Sequence, residues 1–267
     1  MKRSLYIFAT LMLLLPFSAK GEEPEGRPST HATLFALGRA NHLDTYLSPM
    51  EYTGPQLTFL HTTLRHLKRN EHIVFETATQ GEVSYTENQA QTAHYMGGSV
   101  RYDFGWGRQW RNVLWKGLEL TAGGMAGGDL GFLYNDRNSN NPAQARANIR
   151  LSAAVRADYS FRIRKQTLGL HYQAQMPLVG MAFTPQYGQS YYDLFDRGHY
   201  NHNIVATHPG NALSLRQAFS LDLHIRHATL RLGYLSDLRQ LKANGLRQHQ
   251  YGRAFLIGYV HEITLKR

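Results

Sequence analysis

Residues 145–163 read ARANIRLSAAVRADYSFRI and alternate along their whole length between two kinds of side chain. A period of two predicts a β-strand, because successive side chains of a strand point to opposite faces. Strands of soluble proteins are usually about five or six residues long. A longer strand with one polar and one apolar face is typical of a membrane β-barrel, in which one face meets lipid and the other a wet lumen. The polar face carries Arg146, Asn148, Arg150, Ser152, Ala154, Arg156, Asp158, Ser160 and Arg162.

The same alternation recurs through the chain. It is clear in residues 96–104, 118–122, 168–176, 213–226, 229–234 and 255–265, and less regular in 33–40, 56–66 and 72–79. These segments predict an all-β fold, an antiparallel transmembrane β-barrel of about ten strands, or twelve if residues 190–207 contribute a hairpin. The mean hydropathy of −0.42 excludes a helical membrane protein but agrees with a barrel, whose strands offer only alternate residues to lipid.

Connection lengths predict the orientation of such a barrel. Long outer loops are expected at residues 42–55, 80–90, 127–144, 184–210 and 237–248, and short periplasmic turns at 67–71, 164–166 and around His227. Proline cannot donate to a strand ladder, and the prolines fall accordingly, with Pro177 at a strand end. The other five lie in or beside the outer loops: Pro49, Pro55, Pro142, Pro185 and Pro209.

The tryptophans form a separate group. Trp106, Trp110 and Trp115 fall in the predicted inner connection between the fourth and fifth strands. Amphipathic rings favour the membrane–water interface, so these residues are expected in the inner aromatic girdle. Simple packing beneath a loop is the alternative.

The first residues have the pattern of a secretory signal. Lys2 and Arg3 precede an apolar run over residues 5–17, and residues 19–21 (AKG) fit cleavage before Glu22. The predicted organisation is a signal peptide at 1–21, a flexible leader at 22–30 and an outer-membrane barrel at 31–267. The chain has no cysteine, which excludes an acylated N-terminal cysteine, a disulfide framework and thiolate chemistry.

The basic balance of the chain decreases once the signal leaves. The net charge of +10 becomes +7, with 26 basic and 19 acidic residues, because Lys2, Arg3 and Lys20 are lost. The arginines are strung singly on alternating positions instead of forming a basic patch, so nucleic-acid binding is not expected. An anionic lipid surface or a small anion in the lumen is the better match.

Two groups of residues resemble catalytic or metal-binding sets. Ser220, Asp222 and His224 share a strand face, but the first and last lie about 13 Å apart on a strand, too far for a nucleophile and its base. An Asp222–His224 ion pair is the expected arrangement. The loop histidines His199, His202 and His208, near Asp193 and Asp196, lack a helical context for metal ligation, so neither a metal nor a cofactor is predicted.

A ladder of charges on the predicted luminal face is the candidate binding feature. A barrel of about ten strands is narrow and mostly filled by side chains, and buried charges must pair. The ladder therefore predicts a salt-bridged plug, with a basic conduit for small anions as the alternative. The candidate residues are Arg150, Arg156, Asp158, Arg216, Asp222 and His224, accompanied by Arg101, Asp103, Glu119 and Arg231.

The stretches 41–49 (NHLDTYLSP) and 51–54 (EYTG), which follow a first strand ending at Gly38-Arg39, carry a family resemblance. They resemble an uncharacterised family of Bacteroidetes outer-membrane barrels known only as a domain of unknown function, and residues 232–234 (LGY) match it more weakly. The resemblance covers essentially the whole mature chain. It implies the outer membrane of a Gram-negative bacterium and supplies no catalytic residues.

The sequence therefore predicts a structural, binding or narrow-pore protein that acts through its outer loops. Its expected partners are outer-membrane lipid and an envelope protein. A barrel enzyme acting on lipid or peptide at the outer rim is the alternative. A soluble exported β-protein also stays open, since the chain ends in ITLKR without a terminal aromatic residue.

Overall fold

The computed structural model describes residues 29–67, 69–139, 141–164, 166–225 and 228–263. These ranges contain eleven β-strands and one short helix, α1 (Tyr191–Phe195). The strands are β1 (Ser29–Asp44), β2 (Ser48–Leu67), β3 (Asn70–Asn88), β4 (His94–Arg111), β5 (Leu118–Asn135), β6 (Ala143–Ile163), β7 (Gln166–Phe183), β8 (Ile204–Thr207), β9 (Ser214–Ile225), β10 (Ala228–Ala243) and β11 (Leu246–Ile263).

Ten of the described strands form a closed antiparallel barrel. Neighbours in the chain pair around the ring from β1 to β7, β7 pairs with β9, and β11 returns to β1. The four-residue β8 lies outside this ring order and pairs with β7 at Gly180 to Phe183. The predicted ten-stranded barrel is confirmed. The twelve-stranded alternative is wrong, because residues 190–207 contribute a helix and a single short strand instead of a hairpin.

The two faces of the wall have opposite chemistry. In β6, Arg150 and Ser152 point inward and are buried, whereas Ile149 and Leu151 point outward and are 63% and 57% exposed. A small apolar cluster also lies inside, on the side of β1, β2, β10 and β11: Leu34, Ala36, Leu60, Leu235, Ala254 and Leu256. The alternating sequence therefore places charge in the lumen and large apolar side chains on the outside.

Most of the predicted long outer loops are wrong, because the strands run further than the apolar pattern does. The β1–β2 connection has only residues 45–47, closed by Asp44, whose side chain accepts from the Tyr46 amide at 3.2 Å. The β10–β11 connection is the pair Asn244-Gly245, with φ of 54° and 75°. Two residues at positive φ make the tight hairpin turn that Asn-Gly favours. Among the described connections, only residues 184–213 form a long loop.

Because the strands are longer than predicted, several prolines and tryptophans lie within strands instead of in the predicted connections. Pro49 and Pro55 lie within β2, and Pro177 lies within β7 instead of at its end, whereas Pro142, Pro185 and Pro209 are in loops as expected. The β2–β3 register passes from Thr53 to Gln56 and leaves Pro55 without a partner there. Trp106 and Trp110 belong to β4 and only Trp115 to the connection that follows, so the predicted inner connection is too long. All three are exposed.

The predicted signal peptide at 1–21 lies outside the described residues, as does the leader up to residue 28. β1 begins at Ser29, so the last two residues of the predicted leader belong to this strand. In the described ranges, no helix is long and apolar enough to cross a membrane. The end of the barrel with Ser29 and Ile263 is called the terminal end below, and the end with α1 the loop end.

Candidate functional site

Eight charged side chains converge in the middle of the lumen, four of each sign. All project inward from the wall, and together they are called the crossing network. Its members are Glu82, Arg101, Asp103, Asp129, Arg150, Arg216, Asp237 and Arg239.

Arg150 holds one half of the crossing network. Its guanidinium lies 2.7 Å from both the Asp103 and the Asp129 carboxylates. Asp103 of β4 and Arg150 of β6 are separated by Gly127 of β5, which is the register partner of both. A Cβ on Gly127 would lie 1.9 Å from Asp103 Oδ1. The glycine therefore leaves the space through which an arginine reaches a carboxylate two strands away.

The other half of the network spans the bore. Arg101 Nη1 of β4 lies 3.2 Å from Asp237 Oδ2 of β10. These strands are opposite, because four strands separate them in each direction around the ring. Arg216 of β9 donates to Gln80 Oε1 of β3 at 3.2 and 3.0 Å, which joins a second opposite pair.

Two further contacts extend the closure towards the loop end. Arg239 Nη2 lies 2.7 Å from Glu82 of β3, which Gln250 of β11 also contacts. Arg146 of β6 donates to Asp44 of the opposite strand β1 at 2.9 Å. Because these contacts run between facing walls, side chains fill the centre of the barrel.

A second charged group follows one wall nearer the terminal end and is called the wall chain. It consists of Arg156, Asp158, His171, Asp222 and Arg231, on the successive neighbours β6, β7, β9 and β10. Asp158 lies 2.9 Å from Arg156 and 2.5 Å from His171, and His171 Nε2 lies 3.0 Å from Asp222. Arg231 donates to both Asp222 oxygens at 2.6 and 2.7 Å. Each contact ties a strand to itself or to its neighbour.

The structure divides the six candidate residues among three places. Arg150 and Arg216 belong to the crossing network, and Arg156, Asp158 and Asp222 belong to the wall chain. His224 stands apart, with Nδ1 2.8 Å from Thr229 Oγ1. The expected Asp222–His224 ion pair is wrong, because Asp222 pairs with Arg231 and His171. Binding of a ligand by these residues stays a prediction.

The sequence reasoning missed half of the crossing network. Glu82, Asp129, Asp237 and Arg239 fell in segments assigned to outer loops, although β3, β5 and β10 continue through them. The signal was present: Asp237, Arg239 and Leu241 continue the luminal spacing of Leu235 on alternate residues. His171 was read as part of a strand face, and its partner Asp158 is its direct register neighbour.

The structure does not bring together either of the two residue sets that resembled a catalytic triad or a metal site. Ser220 is the register partner of His171, and it forms no triad with Asp222 and His224, which have the partners described above. In the loop, Asp193 is the N3 residue of the capping box of α1, whose N-cap is Ser190, and its main-chain oxygen accepts from the His199 amide at 3.1 Å. No group of three His, Asp or Glu side chains within the described ranges could hold a metal ion.

The long loop, residues 184–213, folds across the mouth of the barrel. The main-chain oxygen of its Gln189 accepts from Tyr46 Oη of the β1–β2 turn at 2.9 Å. Tyr191 Oη accepts from the Ala145 amide of β6 at 2.6 Å. Burial raises the pKa of Tyr191 to about 12, so the phenol stays neutral. Leu194, on α1 within this loop, is buried. These contacts reach both sides of the ring, so the loop caps the lumen above the crossing network.

Fold and lumen together define a closed ten-stranded antiparallel β-barrel with a charged, plugged interior. The chain belongs to the family described as "Protein of unknown function (DUF3316)", whose model matches residues 6–267. No curated protein matches it in sequence.

Solved structures of bacterial proteins match most of the chain at low sequence identity. The transport unit of the autotransporter AIDA-I from Escherichia coli is 10% identical over 94% of this chain and 97% of that one, with a TM-score of 0.43. The outer membrane protease OmpT from Escherichia coli is 8% identical over 92% and 100%, with a TM-score of 0.47. Ail, the attachment invasion locus protein of Yersinia pestis, is 8% identical over 89% and 100%, with a TM-score of 0.30.

Proposed function

We propose that this protein is an outer-membrane β-barrel of a Gram-negative bacterium that serves as a closed structural or binding protein. The observation that carries the proposal is the apolar belt on the outside of the barrel. Leu37, Leu130 and Phe255 are 69%, 69% and 74% exposed on outward faces, while the inward faces of the same wall bury charge. Soluble monomers rarely expose contiguous apolar surfaces of this kind.

Closure of the sheet supports the same location. In lipid, backbone N–H and C=O groups need partners within the protein, and a closed barrel provides them along nearly all of its wall. Trp106, Trp110 and Trp115 are exposed at the terminal end, where an aromatic girdle would meet the interface. We place this end in the periplasm and the capped loop end outside the cell.

The crossing network supports a closed lumen. Charged side chains from opposite walls contact each other in the centre, and the long loop covers the mouth. A structural or binding role agrees better with this arrangement than a pore does. A narrow path for small anions would require the contacts of the crossing network to break.

The capping loop favours a binding role at the cell surface. Tyr187, Tyr192 and Tyr200 are exposed on it. Tyrosine is enriched in protein interfaces because it offers a large rigid surface with a polar end. An envelope or external protein is therefore the proposed partner of this loop, and outer-membrane lipid surrounds the belt.

Electrophoretic mobility of the membrane fraction with and without boiling tests the location. We expect the unboiled protein to migrate faster and to resist alkaline extraction, because a closed barrel stays folded in detergent. Release into the soluble periplasmic fraction, without a mobility shift, would overturn the proposal. N-terminal sequencing of the mature protein should begin at Glu22 if the predicted signal is cleaved there.

A further inference from the structure

A cavity of about 120 Å³ lies between the crossing network and the capping loop. A cavity needs only roughly 10–15 Å³ to hold one water, so this one has room for a small polar group with its waters. Its charged lining is unbalanced, with five arginines and the two acids Asp129 and Asp237. The arginines are Arg101, Arg146, Arg150, Arg216 and Arg239.

Several donors of this lining are unused. The Nε atoms of Arg101, Arg146 and Arg239 are buried without a hydrogen-bond partner, as is one carboxylate oxygen of the lining, Asp237 Oδ2. Arg101 is only 7% exposed. A buried donor without an acceptor is costly, and a guanidinium is well shaped to hold a phosphate or carboxylate. The lining therefore suits an anionic group.

The β-ladder of the barrel wall is interrupted beside this cavity, and this interruption is called the gap below. On its β9 side, β7 pairs with β9 up to Gln175, and with β8 only from Gly180 onward. Within the described strands, residues 176–179 have no register partner on that side, a length of roughly 13 Å at about 3.3 Å per residue. On the other side, β7 has a bulge at Leu178, next to Pro177, which has no N–H to donate. Both ladders of β7 are therefore irregular at the same few residues and regular on either side of them.

One cavity reaches both the lumen and the outside through this gap. Leu178 and Val179 line it and are 50% and 53% exposed on the outer surface, and Arg101 and Arg216, which line it too, are each 7% exposed. Its other apolar lining residues include Leu215 of β9, next to the gap, together with Ala147, Pro177, Ala182, Phe183, Ala212 and Leu241. The cavity is thus charged at its inner end and apolar where it meets the belt.

We propose that this cavity binds an anionic amphiphile that enters sideways from the membrane. A phosphate or carboxylate head would contact Arg101, Arg216 and Arg239, and an alkyl chain would leave between β7 and β9, past Leu178 and Leu215, into the bilayer. The capping loop above and the crossing network below close the other routes. The inference rests on the proposed membrane location, because the gap opens onto the apolar belt.

Binding of n-dodecyl phosphate to the full-length protein in a neutral maltoside detergent is the test, measured by native mass spectrometry. We expect one saturable site, with inorganic phosphate and dodecyl maltoside at least about tenfold weaker, because the site needs both head and chain. Equal binding of inorganic phosphate would overturn the lateral entry.

Two substitutions separate the two ends of the site. Leu215→Trp narrows the gap and Arg216→Gln removes a head-group contact, and each should weaken dodecyl phosphate binding by about tenfold. Ala212→Trp blocks the same cavity from the loop if Leu215→Trp fails to assemble. The matched controls Leu37→Trp, on the outer face of β1, and Arg162→Gln, at the exposed end of β6, should bind like the wild type.

The mobility shift on boiling is recorded for every variant. Absence of dodecyl phosphate binding by a wild-type barrel that does shift would overturn the cavity proposal and leave the membrane location standing. Failure of the wild type to shift would instead overturn the membrane location. Equal loss in the control variants and in Leu215→Trp would also contradict the assigned site.

Discussion

The crossing network and the wall chain are built from the same residue types and lie in the same lumen, but they connect different parts of the barrel. The wall chain runs along β6, β7, β9 and β10, and each of its contacts joins a strand to itself or to a neighbour that the backbone ladder already holds. The crossing network joins β10 to β4 and β9 to β3, which face each other across the bore. The first reinforces the wall, and the second closes the lumen.

The difference shows that pairing alone does not decide what a luminal charge does. Arg231 and Arg150 are both buried and both paired with carboxylates. Arg231 faces its partner Asp222 directly in register, so the strands need no special feature. Arg150 reaches across the intervening strand β5 to Asp103, and this contact depends on Gly127, which has no side chain. The crossing network should therefore be more sensitive to substitution.

Loss of Arg150 should have the largest effect on stability. Arg150→Ala leaves the buried Asp103 and Asp129 carboxylates without their 2.7 Å partner. Breaking a buried ion pair from one side costs about 3–5 kcal/mol, because the remaining charge is uncompensated. Urea unfolding in detergent, followed by the mobility shift, should show this loss. Arg162→Ala, at the exposed end of the same strand, should change the free energy of unfolding by less than about 0.5 kcal/mol. Equal losses would contradict the role of Arg150.

Gly127→Ala tests the space that the crossing contact needs. The new methyl group would meet Asp103 Oδ1 at 1.9 Å and the Tyr102 carbonyl oxygen at 2.7 Å. Overpacking of this kind costs about 1–3 kcal/mol. Gly81→Ala on β3 is the matched control, because a Cβ there meets nothing within 4 Å. A control as unstable as Gly127→Ala would indicate a general need for glycine in the strands.

The wall chain should be more tolerant. His171→Gln removes the side chain that links Asp158 and Asp222, but each carboxylate keeps an arginine partner. We expect a loss of about 1 kcal/mol, the net value of an ordinary hydrogen bond, in the same unfolding assay. His224→Gln, on the neighbouring strand and outside both groups, should be neutral. A loss as large as that of Arg150→Ala would remove the distinction between the two groups.

The smallest effect is expected in the capping loop, at a residue outside both groups. Hydrogen bonds from the Ser190 side chain and backbone lower the pKa of the Asp193 carboxyl. A lowered folded pKa means that the stabilisation is present above the unfolded pKa and is lost as pH falls through the folded value. Proteolysis of the loop should therefore become slightly faster below about pH 4, near the ordinary carboxyl pKa. Asp193→Asn should remove this pH dependence, and a persistent dependence would implicate another group.

The barrel could be read from the sequence because its wall repeats one simple pattern. The alternation in residues 145–163 decides which side chains face the lumen, and Arg150, Arg156 and Asp158 all lie on that face. The ends of the strands could not be placed in the same way. Beyond the apolar belt the outward residues become polar, so the hydrophobic pattern stops while the hydrogen-bonded ladder continues to the Asn244-Gly245 turn.

The candidate site was only partly predictable for a related reason. A sequence shows which residues face inward, but contact across the lumen depends on the order and stagger of strands around the ring. Arg101 and Asp237 are far apart in the chain and meet because β4 and β10 are opposite. His171 faces Asp158 across a short hairpin, so this contact could have been predicted from the register of the two strands. The gap between β7 and β9 begins beyond the Gln175–Arg216 pair, although β9 continues to Ser214, and the sequence pattern alone does not mark this point.

Conductance of the purified protein in planar lipid bilayers tests most directly whether the crossing network closes the lumen. The comparison uses two charge-balanced double variants, Asp237→Ala with Arg239→Ala in the crossing network, and Asp222→Ala with Arg231→Ala in the wall chain. We expect no steady conductance from the wild type or the wall-chain variant, and discrete conductance steps from the crossing variant. Steady conductance of the wild type, or equal conductance of the two variants, would contradict the closed lumen.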